Sequence, residues 1–351
     1  MTSRERVLTT LQGGIPDRIG RMDYFWRDTL ARWRTEGLGE QEDPALRFDF
    51  DFGGLNGVDL TLRFPVQVLE ETEEYTIRRD ENGVVRKDLK TTEGHTPHWM
   101  EFTLCHRADW ERHRERLAWS EARLPEAAAE TYRRHRERGL FVYFATGDPI
   151  SCAYRALGQV NLFTQMMDDP DLVAEILAAY ADLALAAARR LLEMGLDYDG
   201  AWLYGDLGYR NALLFSPRLY DRLLLPQHRR MCDFFNSRGK PVILHSCGRV
   251  QELIPRFIEA GFAAIQPLEA KAGQDVRELK QRHGKAITFF GNIDVRKMSG
   301  TREELREELL SKLEVARDGG YLFHSDHSVP PTVPWDHYCY LMELLDEYGR
   351  Y

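Results

Sequence analysis

His245 and Cys247 stand two residues apart at the end of an apolar run, so an extended backbone points both side chains the same way. An imidazole and a thiolate on one face are borderline-soft ligands suited to zinc. Glu269 and His327 follow later apolar runs and could complete the set. Three protein ligands with one open position is the pattern of a catalytic zinc. Zinc held there would keep a thiol substrate as thiolate or polarise an oxygen leaving group. A histidine next but one to a cysteine carries little by itself; its weight comes from the other polar groups that end neighbouring runs. Asp206 (in Gly205-Asp206-Leu207-Gly208) and Asp148 (in Gly147-Asp148-Pro149) are candidate catalytic groups, together with Tyr154 in the loop that follows Asp148-Pro149. Trp202, Tyr204, Arg155 and Asn292 are candidate substrate contacts. An Asp in such a turn also has a purely local use, bonding its own backbone. Cys105, Cys152, Cys232 and Cys339 read as small buried hydrophobes. His95, His98, His106 and His113 fall in polar or hairpin segments and read as surface residues.

These groups need a frame that brings distant strand ends together. From residue 140 onward the chain alternates short apolar runs (140–146, 198–204, 241–245, 264–269, 286–291, 320–324) with helical stretches (169–194, 216–237, 250–260, 276–283, 301–317, 334–348). Gly195, Gly239, Gly261, Gly284 and Gly319 follow helices, where glycine accepts the left-handed conformation without steric cost. Regular β-α repetition predicts parallel strands buried on both faces. Six units fit, and the first 60 residues can supply the rest, which predicts an α/β fold of TIM-like (β/α)8 barrel type in one domain, 1–351. An open doubly wound sheet is the alternative, but no Gly-x-Gly-x-x-Gly loop follows an early strand. In a barrel the chemistry sits at the C-terminal ends of the strands, and five of the six runs carry a carboxylate or soft ligand there. One premise follows: His245, Cys247 and His327 meet at one mouth of the barrel. Upstream, Asp80-Glu81-Asn82-Gly83 between β-prone runs predicts a β-hairpin inserted at about 61–105. A helix over 25–36 and a helical, charge-rich stretch over 109–139 flank it.

Composition excludes several classes. The net charge of −9 argues against a nucleic-acid partner. Five cysteines in 351 residues are no disulfide framework and suit a reducing compartment. The N-terminus has no apolar signal segment, and no uncharged apolar run reaches the roughly 18 residues of a membrane span. A cytoplasmic protein without a membrane partner is expected.

Several segments resemble the uroporphyrinogen decarboxylase superfamily. They are Arg4-Glu5-Arg6-Val7-Leu8 with Gly13-Gly14-Ile15-Pro16-Asp17-Arg18, Ser216-Pro217-Arg218-Leu219-Tyr220, His245-Ser246-Cys247-Gly248, Phe290-Gly291-Asn292-Ile293-Asp294, and Val329-Pro330-Pro331-Thr332-Val333-Pro334. They run in order over nearly the whole chain, and the resemblance implies the same TIM-like barrel. Its true decarboxylases carry Arg-Gln-Ala-Gly-Arg after the first helix, to bind the carboxylates of the porphyrinogen. Here that place holds Arg21-Met22-Asp23-Tyr24-Phe25-Trp26, without the arginine pair. The methyltransferase branch acts on methylated corrinoid proteins and uses zinc held by His-x-Cys and a later cysteine. His245 and Cys247 match the first two; His327 occupies the place of the third, where decarboxylases also have a histidine. The interval from Cys247 to Glu269 also resembles the zinc-binding Glu of cobalamin-independent methionine synthase, a more distant relative.

The resemblance therefore implies a zinc-dependent methyltransferase acting between a small methylated compound and a corrinoid (cobalamin) carried by a partner protein. His245, Cys247 and His327 would hold zinc, and Glu269 would be a fourth ligand or support one by hydrogen bonding. A histidine in place of cysteine lowers the thiolate charge on the metal, which suits removal of methyl from oxygen or nitrogen. The alternative is a metal-independent decarboxylase in which Asp49 or Asp51, with His327 and Tyr154, stabilises a protonated pyrrole. A third reading is a non-catalytic barrel that binds a corrinoid or tetrapyrrole. Family members are often dimers, which leaves a homodimer as an expectation.

Overall fold

Apolar runs of four to seven residues become parallel strands where helices cover both of their faces. A computed structural model describes residues 1–90 and 97–351, so His95 lies outside the described residues. In chain order the strands are β1 (Phe52–Leu55), β2 (Gln67–Glu71), β3 (Tyr75–Arg79), β4 (Val85–Leu89), β5 (His98–Glu101), β6 (Phe141–Gly147), β7 (Gly200–Tyr204), β8 (Val242–Ser246), β9 (Ala264–Pro267), β10 (Thr288–Phe290) and β11 (Tyr321–Leu322). β1 and β6 to β11 pair one after the next, all parallel. Residues 20–22 take the eighth place. Phe323 N–H donates to Gly20 O at 2.9 Å, Met22 N–H to Phe323 O at 3.2 Å, and Asp51 N–H to Arg21 O at 2.9 Å. These bonds join the last strand to the first, and the sheet curls into the TIM-like barrel that the repeat predicts.

Two cores result. Val7, Phe52, Phe141, Tyr143, Trp202, Ile243, Phe290 and Leu322 fill the barrel lumen. A larger cluster joins the outer strand faces to the helices, with Pro170–Glu193 contributing twelve buried residues. The lumen is packed rather than hollow, so a ligand has access only at its ends.

Several expectations need correction. The insertion is a four-stranded antiparallel sheet, β2-β3-β4-β5, of which the Asn82-Gly83 hairpin joins the middle pair. The stretch 109–139 is two α-helices, Arg107–His113 and Ala128–Glu137, separated by two short 3-10 helices, Arg114–Leu117 and Glu121–Arg123. Tyr154 and Arg155 sit on a helix, Pro149–Leu157, and not in a loop; a second helix, Gln159–Asp168, follows it. The helix over 216–237 widens into π-type turns at Tyr220–Leu224, just ahead of Pro226, whose nitrogen cannot donate to the preceding turn. Gly284 keeps a right-handed φ of −64°, unlike the other four helix-closing glycines.

Candidate functional site

The loops after β7 and β8 lie against each other backbone to backbone. Gly248 has φ 77°, and a Cβ there would meet Gly208 C at 2.3 Å; a Cβ at Gly208 would meet Gly248 C at 2.8 Å. Only glycine on both sides permits this approach. The contact is fastened by Arg249 N–H to Tyr209 O (2.9 Å) and Leu207 N–H to Ser246 Oγ (2.9 Å). It sets Asp206 beside Cys247, whose amide donates to Asp206 Oδ1 at 3.0 Å. His245 Nε2 lies 3.5 Å from that same oxygen and 3.5 Å from Cys247 Sγ.

Glu269 and His327 approach Cys247 from the other side. One ligand atom each from Cys247, Glu269 and His327 lies within 4.8 Å of the other two, and the same holds for Asp206, His245 and Cys247. The predicted ligands thus form two triads hinged on one thiol, and Asp206 stands among them. His327 lies parallel to the Trp26 ring at 5.9 Å and meets Ser328 O at 3.3 Å. Burial pushes the Cys247 thiol well up, and the carboxylates of Asp206 and Glu269 push it further. Partial desolvation raises the Asp206 carboxyl, but hydrogen bonding and electrostatic attraction from the His245 ring, with the Cys247 amide, hold it at about 2. Lys271 lies 3.7 Å from Glu269. A half-buried thiol between two carboxylates is short of positive charge, and the donor set of sulfur, ring nitrogens and carboxylate oxygens fits zinc.

Two hollows adjoin the cluster. One, of about 460 Å³, is lined by Cys247, Glu269, Tyr209, Arg210, Lys271 and Arg296. The other, of about 250 Å³, lies between Asp206, Tyr154, Arg155, Phe163, Leu214 and Phe215. A larger cavity of about 680 Å³ lies at the far, N-terminal end, around Ile15, Ile19 and Tyr351, and holds none of the candidate residues.

Below the cluster, His245 Nδ1 meets Gln266 Oε1 at 2.5 Å, and Gln266 Nε2 meets His324 Nε2 at 3.1 Å. His324 is buried, which drives its imidazole down to about 3. It lies 3.5 Å from Asp23, whose carboxyl is raised to about 7 by burial, against hydrogen bonds from Ser325 and Tyr338. Beside them Tyr24 Oη meets Tyr143 Oη at 3.0 Å and Tyr204 Oη at 2.8 Å, and burial raises all three phenols. Gln266, His324, Asp23, Tyr24 and Tyr143 were not candidates from the sequence. The available signal was a glutamine inside an apolar run and a histidine closing another.

Other candidates have different positions. Trp202 is fully buried under Tyr204, whose ring lies parallel to it at 5.6 Å, so it forms the floor and does not meet ligand. Tyr204 is half-buried and leans on His245 at 5.4 Å. Asn292 is buried and saturated: it donates to Leu268 O and Gln274 O and accepts from Val276 N–H and Lys312. It ties loops together and has nothing left for a substrate. Asp148 is fully buried, caps Pro149–Leu157 at Ile150 N–H and bonds His228, which in turn bonds Tyr220. Asp51 precedes β1, at the opposite rim, where Arg6 and Arg18 hold it; Asp49 lends its backbone carbonyl to Arg18. Neither can reach a ligand at the mouth. Arg21 is also committed, to Asp346 and through its own N–H to Asp51. Cys152 and Cys232 are buried as expected, while Cys105 and Cys339 are half-buried. His98 and His106 are exposed and His113 is half-buried.

No helix among the described residues is long and apolar enough to cross a membrane. The chain resembles a solved methyltransferase from Methanosarcina mazei, with a TM-score of 0.65 over 99% of each chain at 14% identity, which speaks for the fold. Two sequence relatives are the uroporphyrinogen decarboxylases of Nostoc punctiforme and Myxococcus xanthus. The first is 23% identical over 184 residues (51% of this chain, 48% of that protein), the second 25% over 185 (52% and 50%). The chain thus spans about half the length of the curated relatives it matches. The model of the family described as uroporphyrinogen decarboxylase (URO-D) matches residues 87–348, and the chain belongs to that family.

Proposed function

We propose that this chain is a zinc-dependent methyltransferase that moves a methyl group between a small methylated compound and a corrinoid held by a partner protein. One observation carries the reading: a thiol, two imidazoles and two carboxylates converge on Cys247 at the C-terminal mouth of the barrel. His245, Cys247 and His327 would hold the zinc, with Glu269 as a fourth ligand or its support and Asp206 beside them. When bound, the zinc would act as a Lewis acid toward the heteroatom that carries or receives the methyl group. The protein's own residues do the rest. Asp206 lies between the thiol cluster and the smaller hollow, where its carboxylate would accept a hydrogen bond from an incoming thiol or hydroxyl and so position it. Tyr154 and Arg155 line that hollow and would orient the substrate. At about 250 Å³ the hollow is below the roughly 300 Å³ of a drug-sized ligand site, which favours a small methylated compound.

The metal-independent decarboxylase reading keeps His327 and Tyr154 at the mouth but loses its aspartates. Asp51 and Asp49 are at the wrong rim, and Arg21 is engaged in ion pairing. Zinc content settles the choice. Wild type is expected to carry about one zinc per chain and the Cys247→Ala protein none. The wild type should then demethylate methylcobalamin in the presence of a suitable small acceptor. No zinc in the wild type, or carbon dioxide release from a porphyrinogen, would sink the proposal.

A further inference from the structure

His245, Gln266, His324 and the carbonyl of Ser325 form one hydrogen-bond chain from the cluster into the barrel wall, with Asp23 Oδ1 3.5 Å from the last ring. Its far end fixes its polarity. A backbone carbonyl only accepts, so His324 Nδ1 must carry the proton it shares with Ser325 O. His324 is deeply buried and neutral, so its Nε2 is left with a lone pair. Only the NH2 of Gln266 can donate to that lone pair, at 3.1 Å, which turns the amide oxygen toward His245. That oxygen only accepts, so His245 Nδ1 carries a proton across the 2.5 Å contact. A neutral His245 therefore has its lone pair on Nε2, which is the nitrogen 3.5 Å from both Cys247 Sγ and Asp206 Oδ1.

We infer that Gln266 is a positioning residue that fixes the tautomer and ring direction of His245 and so presents Nε2 to a cation. The inference rests on the zinc reading only in its last step; the tautomer follows from the hydrogen bonds alone. β8 and β9 pair in register at His245 and Gln266, so neighbouring backbones set the two side chains side by side. Gln266 is 1% exposed, so water cannot easily substitute for the amide. An orienting partner of this kind is typically worth about ten- to hundredfold in metal affinity.

The test uses the full-length chain labelled with 15N-histidine, stripped of metal at pH 8. Long-range 1H–15N correlations identify the protonated nitrogen of each ring. Wild type is expected to show His245 as the Nδ1–H form, and Gln266→Met a mixture of both tautomers. Zinc affinity, read by competition with a chelator, should fall about ten- to hundredfold in Gln266→Met. A single His245 tautomer and affinity within twofold of wild type in that variant would overturn the inference. Should Gln266→Met not fold, His324→Phe is read the same way, because it removes the acceptor that holds the amide. A wild type that takes no zinc, yet loses its His245 tautomer in Gln266→Met, would end the zinc reading while upholding the role of Gln266.

Discussion

The two rims of the barrel both gather charge, and they treat it in opposite ways. At the N-terminal rim each buried carboxylate is answered. Asp51 is bonded by Arg6, Arg18 and the Arg21 amide, and Arg6 also clamps Asp17, whose carboxyl is pulled well down. At the C-terminal rim the groups face each other with few counter-charges: Asp206 has His245, Glu269 has Lys271 at 3.7 Å, and Cys247 lies between two carboxylates with the His245 ring 3.5 Å away. Satisfied charge at one end and unsatisfied charge at the other is what division of labour in a barrel looks like. The first end holds the closing segment 20–22 against β1, and the second waits for a ligand.

The sharpest way to break this comparison is to unpair the saturated end. Asp51→Asn leaves two guanidinium groups without their buried partner. Losing one side of a buried ion pair costs about 3–5 kcal/mol. The denaturant midpoint should therefore fall markedly, while the zinc content of the folded protein stays at that of wild type. Full stability in the variant, or loss of zinc with it, would mean that the two rims are not independent.

The fold was legible because its signal is repeated. From residue 140 each apolar run and six of the helices were visible, since periodicity over six units leaves little freedom, but the helices Pro149–Leu157 and Gln159–Asp168 were not. The first 60 residues hid their part: the eighth place in the barrel is three residues, 20–22, fastened by backbone bonds that no side-chain pattern announces. The site was half legible. His245, Cys247, Glu269 and His327 were readable because ligand types at strand ends have meaning in a barrel. Asn292 and Asp148 share that placement, yet their partners absorb them, and a sequence does not show which polar group is already satisfied. Gln266 and His324 were missed for the converse reason. They act through neighbours on adjacent strands, and register across a sheet is invisible in a single chain.

Asp23 offers a smaller and more specific contrast, since it is buried near the mouth yet pairs with no Lys or Arg among the described residues. Its carboxyl sits at about 7 in the folded state, against an ordinary 3.8. Between those values the folded protein holds a proton that the unfolded chain has released, so this group's contribution falls as pH rises from about 4 to about 7. The difference in stability between wild type and Asp23→Asn should shift steadily against wild type over that window, because the asparagine cannot ionise. Denaturation midpoints at pH 4, 5.5 and 7 measure it. A difference that stays constant with pH would show that Asp23 is ionised in its pocket.

The smallest expected effect on stability belongs to Arg155, and it separates binding from folding at the mouth. Arg155 is exposed, lines the smaller hollow beside Tyr154 and Asp206, and forms no ion pair with another described residue. An exposed side chain without such a partner changes stability by no more than about 0.5 kcal/mol when truncated. If the hollow receives the substrate, Arg155→Ala should raise KM severalfold with kcat nearly kept, since it removes an interaction common to substrate and transition state. A fall in kcat at constant KM would place Arg155 against the reacting atoms instead. No kinetic change would direct the search for substrate to the larger hollow beside Lys271, where Glu269 and Cys247 already form the wall.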